Sequence, residues 1–308
     1  MSHSLGVPSS QHYFSTRRDL KQRQRVHAAV QIIDTMSNTL DTQTDTIVLI
    51  HGLWMTALSW EHWVNRYTQC GYKVIAKSWP GMDGDIEELR SHPEAIEDLG
   101  IAEIVDYYDD IVRALPRPPI IMGHSFGGVF TQILLDRGLG AAGVAIDSAA
   151  VKGVLTLPAS TLKSGYPVLK NPANTHKAVA LTPEEFHYAF TNTLSEAESE
   201  AAYERYAVPG PGRVLFQGAL ANFNPHATTR IDFHNDERAP LLFIAGSEDH
   251  VSPPALNESN AKHYQNSKAI TDYHLFEGRS HFILGQPGWE AVADYALEWA
   301  IAHTSASV

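Results

Sequence analysis

Short apolar runs alternate with longer amphipathic stretches along most of this chain. The first run, Thr46–Ile50, is rich in β-branched residues, which is typical of a strand buried on both faces of a parallel sheet. The pattern predicts strands at 46–50, 72–76, 118–122, 142–146, 240–245 and 269–276, and helices at 57–67, 101–115, 129–135 and 290–302. Strands that alternate with helices predict an α/β fold, a mostly parallel sheet with helices on both faces.

One long segment, residues 152–236, breaks this alternation. It has no buried-strand run, but it has helical patterns at 183–191 and 194–206 and a Pro-Gly-Pro-Gly sequence at 209–212. We expect a mainly helical cap inserted over the carboxyl ends of the strands, where parallel sheets bind their ligands. The predicted domains are an N-terminal extension (1–43), a core (44–151 and 237–308) and the cap (152–236).

The N-terminal extension has a composition of its own. Its first residues are polar and lack the apolar stretch of a secretory signal, while basic residues precede an amphipathic stretch: Arg17, Arg18, Lys21, Arg23 and Arg25. Such an acid-poor start is compatible with an organelle transit peptide. The alternatives are an accessory helix or a disordered tail, and we expect a cytoplasmic protein, with organelle import as the alternative.

The overall composition is that of a globular domain, with 44% hydrophobic and 19% charged residues. The formal net charge of −12 disfavours nucleic acid or an anionic membrane surface as a partner. The single cysteine, Cys70, excludes an internal disulfide, and its place at the end of a helical pattern predicts a buried or half-buried thiol. No apolar run reaches the roughly 18 residues of a membrane span. The oligomeric state stays open.

A glycine-flanked serine follows the third predicted strand and precedes a helix. In Gly123-His124-Ser125-Phe126-Gly127-Gly128, a bend sharp enough to expose the Ser125 hydroxyl needs glycine two residues before and two residues after it. The strand–turn–helix setting predicts Ser125 as a nucleophile rather than a chance Gly-rich turn. The amide of Phe126, at the start of the helix, is the first predicted donor to an oxyanion.

With this motif, residues 46–302 resemble the α/β-hydrolase superfamily, in particular serine esterases and lipases with a helical cap. The resemblance implies a catalytic acid after a late strand, which is Asp249 in Gly246-Ser247-Glu248-Asp249. It implies a histidine base on the loop after the last strand, which is His281 in Gly278-Arg279-Ser280-His281. Glu248 and Asp147 are the alternatives for the acid.

The same resemblance implies a second oxyanion donor in His51-Gly52-Leu53-Trp54. We expect the amide of Leu53 to donate, and His51 and His124 to brace their loops. The predicted substrate-binding residues are Trp54, Phe186 and Tyr188.

No cofactor or metal ion is expected. The chain has no H-E-x-x-H motif, no paired cysteines and no lysine at the position that a phosphate-binding loop needs. The chain departs from many members of the superfamily in one respect, because no hairpin pattern precedes residues 46–50. Only 30–33 reads as a weak strand, so we expect a sheet reduced at one edge.

The predicted function is that of a serine hydrolase acting on a small-molecule carboxylic ester, lactone or thioester through an acyl-enzyme. Aromatic residues of the cap favour an apolar or aromatic substrate: Tyr166, Phe186, Tyr188, Phe190 and Phe223. The first alternative is a cofactor-free haloperoxidase or hydroxynitrile lyase that uses the same triad. The second is a non-catalytic ligand receptor on the same fold.

Overall fold

A parallel sheet of six strands organises the part of the chain that the computed structural model describes, residues 44–304. The six strands of this sheet are β1 (Thr46–Ile50), β2 (Lys73–Ala76), β3 (Ile120–His124), β4 (Ala142–Ile146), β7 (Leu241–Gly246) and β8 (Thr271–Phe276). Two short strands, β5 (Ala178–Val179) and β6 (Gly210–Pro211), lie outside it. The large sheet has the order β2-β1-β3-β4-β7-β8, and all its pairs are parallel. The predicted α/β fold is confirmed.

Helices cover both faces of this sheet. They are α1 (Glu61–Gln69), α2 (Ile86–Ser91), α3 (Ile101–Arg113), α4 (Phe126–Asp136), α5 (Ala159–Leu169), α6 (Pro183–Ala189), α7 (Glu196–Tyr206), α8 (Gly212–Ala219), α9 (Pro254–His263) and α10 (Trp289–Thr304). Alternate residues of β1 enter opposite cores. Ile47 and Leu49 pack with α1 and α10, whereas Val48 and Ile50 belong to the core of α3 and α4. Both faces are therefore buried, which explains the continuous apolar run.

The register of the strands brings their carboxyl ends to one edge. Ile50 pairs with Gly123, and His124 and Ile146 are partners on β3 and β4. Ile146 in turn pairs with Ile244 on β7. Residues that directly follow β1, β3, β4, β7 and β8 therefore meet at this edge of the sheet.

The segment 152–236 lies between β4 and β7 and is mainly helical. It contains α5 to α8 and a small antiparallel pair, β5 with β6. Helices α6 and α7 each begin with a capping box, in which the hydroxyl of Thr182 or Ser195 accepts from the amide three residues later. We call this segment the cap, and its predicted bounds at 152 and 236 stay a prediction.

Several sequence predictions need correction. The helix predicted at 57–67 is a 3-10 turn, Ala57–Trp60, followed by α1, and helices α2, α5, α8 and α9 were not predicted. Cys70 is exposed rather than buried, because it ends α1 where the chain reverses at Gly71 with φ 91°.

The start of the chain lies outside the described residues, including the strand or helix considered at 30–33 and every other prediction for 1–43. Within 44–304, no strand pairs with the outer edge of β2. No helix in this range is both long enough and apolar enough to span a bilayer.

Candidate active site

Ser125 occupies the turn between β3 and α4 with a left-handed backbone, φ 57° and ψ −120°. The turn is tight because β-carbons are missing on both sides. A Cβ on Gly123 would lie 2.0 Å from the Gly127 carbonyl oxygen, and one on Gly127 would lie 2.1 Å from the Ile50 carbonyl oxygen. The strained conformation is thus held by packing that only glycine permits.

Asp249 and His281 form a buried pair beside this turn. The Nδ1 of His281 donates to Oδ2 of Asp249 at 2.7 Å, and both side chains are fully buried. The other carboxylate oxygen accepts the amides of Val251 and Ser252, at 2.6 and 2.9 Å. The carboxylate is therefore held at both oxygens and fixes the orientation of the imidazole.

The opposite ring nitrogen of His281, Nε2, is buried. It makes no hydrogen bond with any group within residues 44–304, and so none with Ser125. Phe190 of the cap packs its ring against the imidazole with centroids 4.8 Å apart, and its carbonyl accepts the amide of Phe282 at 2.9 Å. The cap thus helps to position the imidazole of His281. Hydrogen bonds between nucleophile and base are often long in ligand-free enzymes.

A second buried carboxyl group, Asp147, lies next to this pair. Its backbone has φ 45°, and its Oδ1 accepts the amide of Gly246 at 2.7 Å. Burial and the neighbouring charge of Asp249 raise the pKa of Asp147 well above its ordinary value. A raised pKa favours the neutral form of Asp147. The carboxyl group that is hydrogen-bonded to Nδ1 of His281 is that of Asp249. Glu248, the other alternative, instead accepts a hydrogen bond from the hydroxyl of Ser247.

The loop after β1 packs directly on Ser125. A Cβ on Gly52 would lie 2.6 Å from the Cβ of Ser125. The next two residues, Leu53 and Trp54, are buried, and Trp54 has φ 65°. The cap holds this loop through Trp54, whose carbonyl accepts the amide of Val208 and whose indole donates to the carbonyl of Val179, at 2.9 and 3.0 Å.

Two histidines next to the site hold backbone segments together. Nε2 of His51 accepts the amide of Trp79 at 3.0 Å, while its Nδ1 donates to the Gly52 carbonyl at 2.8 Å. Burial lowers the pKa of His51 to about 4, so the ring is neutral. His124 donates from Nε2 to the carbonyl of His281 at 2.9 Å, and burial lowers its pKa as well.

An apolar cavity of about 330 Å³ opens above Ser125, within the size range of small-molecule sites. Its inner end is formed by Leu53, Trp54, Ser125 and Phe126, and the cap supplies most of the remaining wall. A broader depression of about 550 Å³ lies between α9 and β8, and none of the predicted catalytic residues lines it. The smaller cavity is therefore the candidate substrate site.

His124, Asp147 and His281 also offer ligand atoms within 4.8 Å of one another, a spacing that could hold a metal ion. His281 uses its Nδ1 in the bond to Asp249, and His124 uses its Nε2 in the bond to the carbonyl of His281. A metal at this cluster would therefore need Nε2 of His281, the atom that serine catalysis also needs. The two interpretations exclude each other.

A sequence profile described as "Alpha/beta hydrolase family" matches residues 47–294. The chain belongs to this family. The matched range contains β1 from its second residue, the Ser125 turn, Asp249 and His281. No curated protein sequence matches the chain.

Solved α/β-hydrolase structures share this fold at low identity. A monoacylglycerol lipase from Paleococcus ferrophilus is 19% identical with a TM-score of 0.58, covering 85% of this chain and 96% of its own. An extracellular α/β-hydrolase from a Paenibacillus species is 20% identical, with TM-score 0.62 and coverage of 82% and 98%. A Mycobacterium tuberculosis protein assigned as a non-heme bromoperoxidase is 19% identical, with TM-score 0.61 and coverage of 83% and 92%. At these identities the likeness shows the fold alone.

Two predicted substrate-binding residues of this hydrolase do not reach the cavity. Phe186 is fully buried within the cap, where it stacks on Phe190 with centroids 4.9 Å apart. Tyr188 packs against His250, and the ammonium of Lys163 lies 3.7 Å from its ring centre. Neither lines the cavity, because their helix turns these side chains into the cap and towards the loop after β7. Trp54 does line it.

Most of the cavity wall consists of small and aliphatic residues that were not singled out from the sequence. They include Ala149, Val154, Leu155, Leu157, Leu215 and Val251. One signal was available, because Ala149, Val154, Leu155 and Leu157 lie 3 to 11 residues after the end of β4, at the ligand-binding edge of the sheet. The wall is therefore mainly aliphatic, with Trp54, Phe126 and Phe223 as its aromatic members.

We predict that Gly123→Ala lowers the stability of the hydrolase by more than about 3 kcal/mol, because the new Cβ would collide with backbone rather than with a flexible side chain. Denaturant titration of the variant measures this loss. Gly165→Ala, in α5, is the matched control. A Cβ there meets the Leu169 side chain at 3.4 Å, and alanine suits a helix better. Equal stabilities for the two variants would contradict the packing account.

We predict that Asp147→Asn changes the pH dependence of folding. The parent carboxyl has a raised pKa, so above its ordinary value of 3.8 the native state holds a proton that the unfolded chain has released. The stability of the parent therefore falls as pH rises through that window, and the neutral amide removes this loss. Unfolding free energies measured from pH 4 upwards should increasingly favour the variant. A difference that stays constant with pH would show that Asp147 ionises normally.

Proposed function

We propose that this protein is a serine hydrolase that cleaves carboxylic esters with an aliphatic acyl chain. One observation carries the proposal: Nδ1 of buried His281 is held by Asp249, while its Nε2 has no hydrogen-bond partner within residues 44–304. This histidine and Ser125 both follow strand ends at the same edge of the sheet, and Ser125 lines the inner end of the apolar cavity. A neutral imidazole in this state can accept the serine proton.

The proposed reaction has two halves. In the first, Oγ of Ser125 attacks the ester carbonyl while its proton moves to Nε2 of His281. The tetrahedral oxyanion is stabilised by the amides of Leu53 and Phe126, and its collapse releases the alcohol with the proton from His281. In the second half, water attacks the acyl-enzyme, gives its proton to His281, and the acid leaves as Ser125 regains that proton.

Asp249 keeps its hydrogen bond to Nδ1 of His281 through both halves and stabilises the imidazolium. The reaction needs no metal or cofactor. Lactones and thioesters follow the same steps, since each presents a carbonyl carbon with an oxygen or sulfur leaving group. The structural likeness to a monoacylglycerol lipase agrees with ester hydrolysis.

The principal alternative is a cofactor-free haloperoxidase, which the structural likeness to the bromoperoxidase brings forward. A hydroxynitrile lyase would use the same triad. The esterase proposal requires turnover of simple esters in the absence of any halide or cyanide. A non-catalytic receptor would turn over none of these substrates.

We predict hydrolysis of p-nitrophenyl esters in the presence of EDTA, with kcat/KM rising with acyl length until the cavity is filled. Each buried methylene contributes about 0.8 kcal/mol, or about fourfold. The aliphatic wall predicts that a hexanoate is preferred over a benzoate.

Ser125→Ala should lower kcat by about four to six orders of magnitude without loss of fold. Ser91→Ala, which removes an exposed hydroxyl at the end of α2, is the control. A parent enzyme that hydrolyses no ester, or a Ser125→Ala variant as active as the parent, would contradict the proposal.

A further inference from the structure

Large apolar side chains are exposed around the mouth of the cavity. Six of the seven most exposed ones in residues 44–304 come from the cap. Leu155 and Phe223 are 77% and 84% exposed. We call these six side chains the rim: Leu155, Leu157, Leu162, Tyr166, Leu220 and Phe223. The seventh, Ile270, precedes β8 at the opposite edge of the sheet.

The rim is continuous with the candidate substrate site. Leu155, Leu157, Leu162 and Phe223 line the cavity, and helices α5 and α8 pack against each other beside it. Soluble proteins rarely expose so many large apolar side chains in one place without a partner. The apolar lining therefore extends from Ser125 to the outer surface of the cap.

Helix α5 shows how this surface is built. Leu162, Lys163 and Tyr166 are exposed and share one face, while Ser164, Gly165, Pro167 and Val168 are buried. Lys170, which caps the helix, is also exposed. Apolar and aromatic residues flanked by lysines on an outward helix face are typical of helices that lie at a membrane surface.

The rim belongs to segments that lack acidic residues. Ranges 148–183 and 205–231 contain no Asp or Glu, although the chain has 35 acidic residues in 308. The first range carries lysines at 152, 163, 170 and 177. Of the arginines in the second range, Arg205 and Arg213 are paired with Glu61 and Glu103.

Lys152 and Lys163 bring positive charge to the rim itself. Nζ of Lys152 donates to the carbonyls of Ala221 and Asn224, on either side of Phe223. Lys163 is next to Leu162 and lies over the ring of Tyr188. Two rims facing each other in a dimer would bring like charges together, whereas an anionic bilayer supplies both apolar volume and opposite charge.

We propose that the rim is a docking surface for an anionic lipid bilayer. Its apolar side chains enter the headgroup–acyl boundary, while Lys152, Lys163 and Lys170 contact the headgroups. The net charge of −12 predicts repulsion between the molecule as a whole and an anionic bilayer. Binding, however, responds to the charge within a Debye length of the contact, about 8 Å at physiological ionic strength. Docking would place the cavity mouth where an ester dissolved in the bilayer could enter.

Vesicle co-sedimentation of the full chain tests this inference. We expect binding to vesicles of phosphatidylcholine mixed with phosphatidylglycerol, and weaker binding to pure phosphatidylcholine or at high salt. Ser125→Ala should bind as the parent does, because docking does not depend on hydrolysis. The outcome for docking is therefore independent of the outcome for the proposed function.

Variants then locate the surface. Tyr166→Ser with Leu220→Ser, two rim residues that do not line the cavity, should weaken binding about tenfold or more and leave hydrolysis of a short soluble ester unchanged. Lys163→Glu with Lys170→Glu should remove the preference for anionic vesicles. Ile270→Ser is the matched control and should bind normally.

Three outcomes would overturn the inference. One is a parent protein that does not sediment with anionic vesicles, and another is rim variants that bind as tightly as Ile270→Ser. The third is a parent dimer that Tyr166→Ser with Leu220→Ser converts to monomer, because the rim would then be a contact between copies of this chain.

Discussion

The whole site depends on the close approach of three backbone segments around Ser125. The turn itself, the start of α4 and the loop after β1 meet at distances that no β-carbon would permit at Gly52, Gly123 or Gly127. This packing holds the serine backbone at φ 57°, and the same contact places the Leu53 loop against Ser125. Strain at one residue is therefore supported by the surrounding fold, as is common at catalytic sites.

Parallel strands in register supply the remaining groups. Asp147, Asp249 and His281 come from loops after three different strands, and burial separates the roles of the two carboxyl groups. Asp249 accepts three hydrogen bonds, from His281 and two amides. Asp147 accepts one, from Gly246, and its raised pKa favours the neutral form. The site thus keeps one carboxylate for the histidine.

The sheet could be predicted from the sequence because a strand buried on both faces must be apolar at every position, as in Thr46–Ile50. The residues around Ser125 could be proposed because a sharp turn needs glycines at Gly123 and Gly127. The lining of the cavity could not. Phe186 and Leu155 are both apolar cap residues, yet one is in the cap core and the other at the cavity mouth. Only the tertiary packing of α5 to α8 decides which. The exposure of Cys70 likewise depends on where the chain leaves α1.

Covalent labelling of Ser125 tests the central claim most directly. The full chain is treated with a fluorophosphonate, and peptide mass spectrometry locates the adduct, with Ser125→Ala and heat-unfolded parent as controls. The account predicts one stoichiometric adduct on Ser125 in the folded parent and none in either control, because only the folded site can activate that hydroxyl. A folded parent that stays unlabelled, or is labelled at another serine, would contradict it.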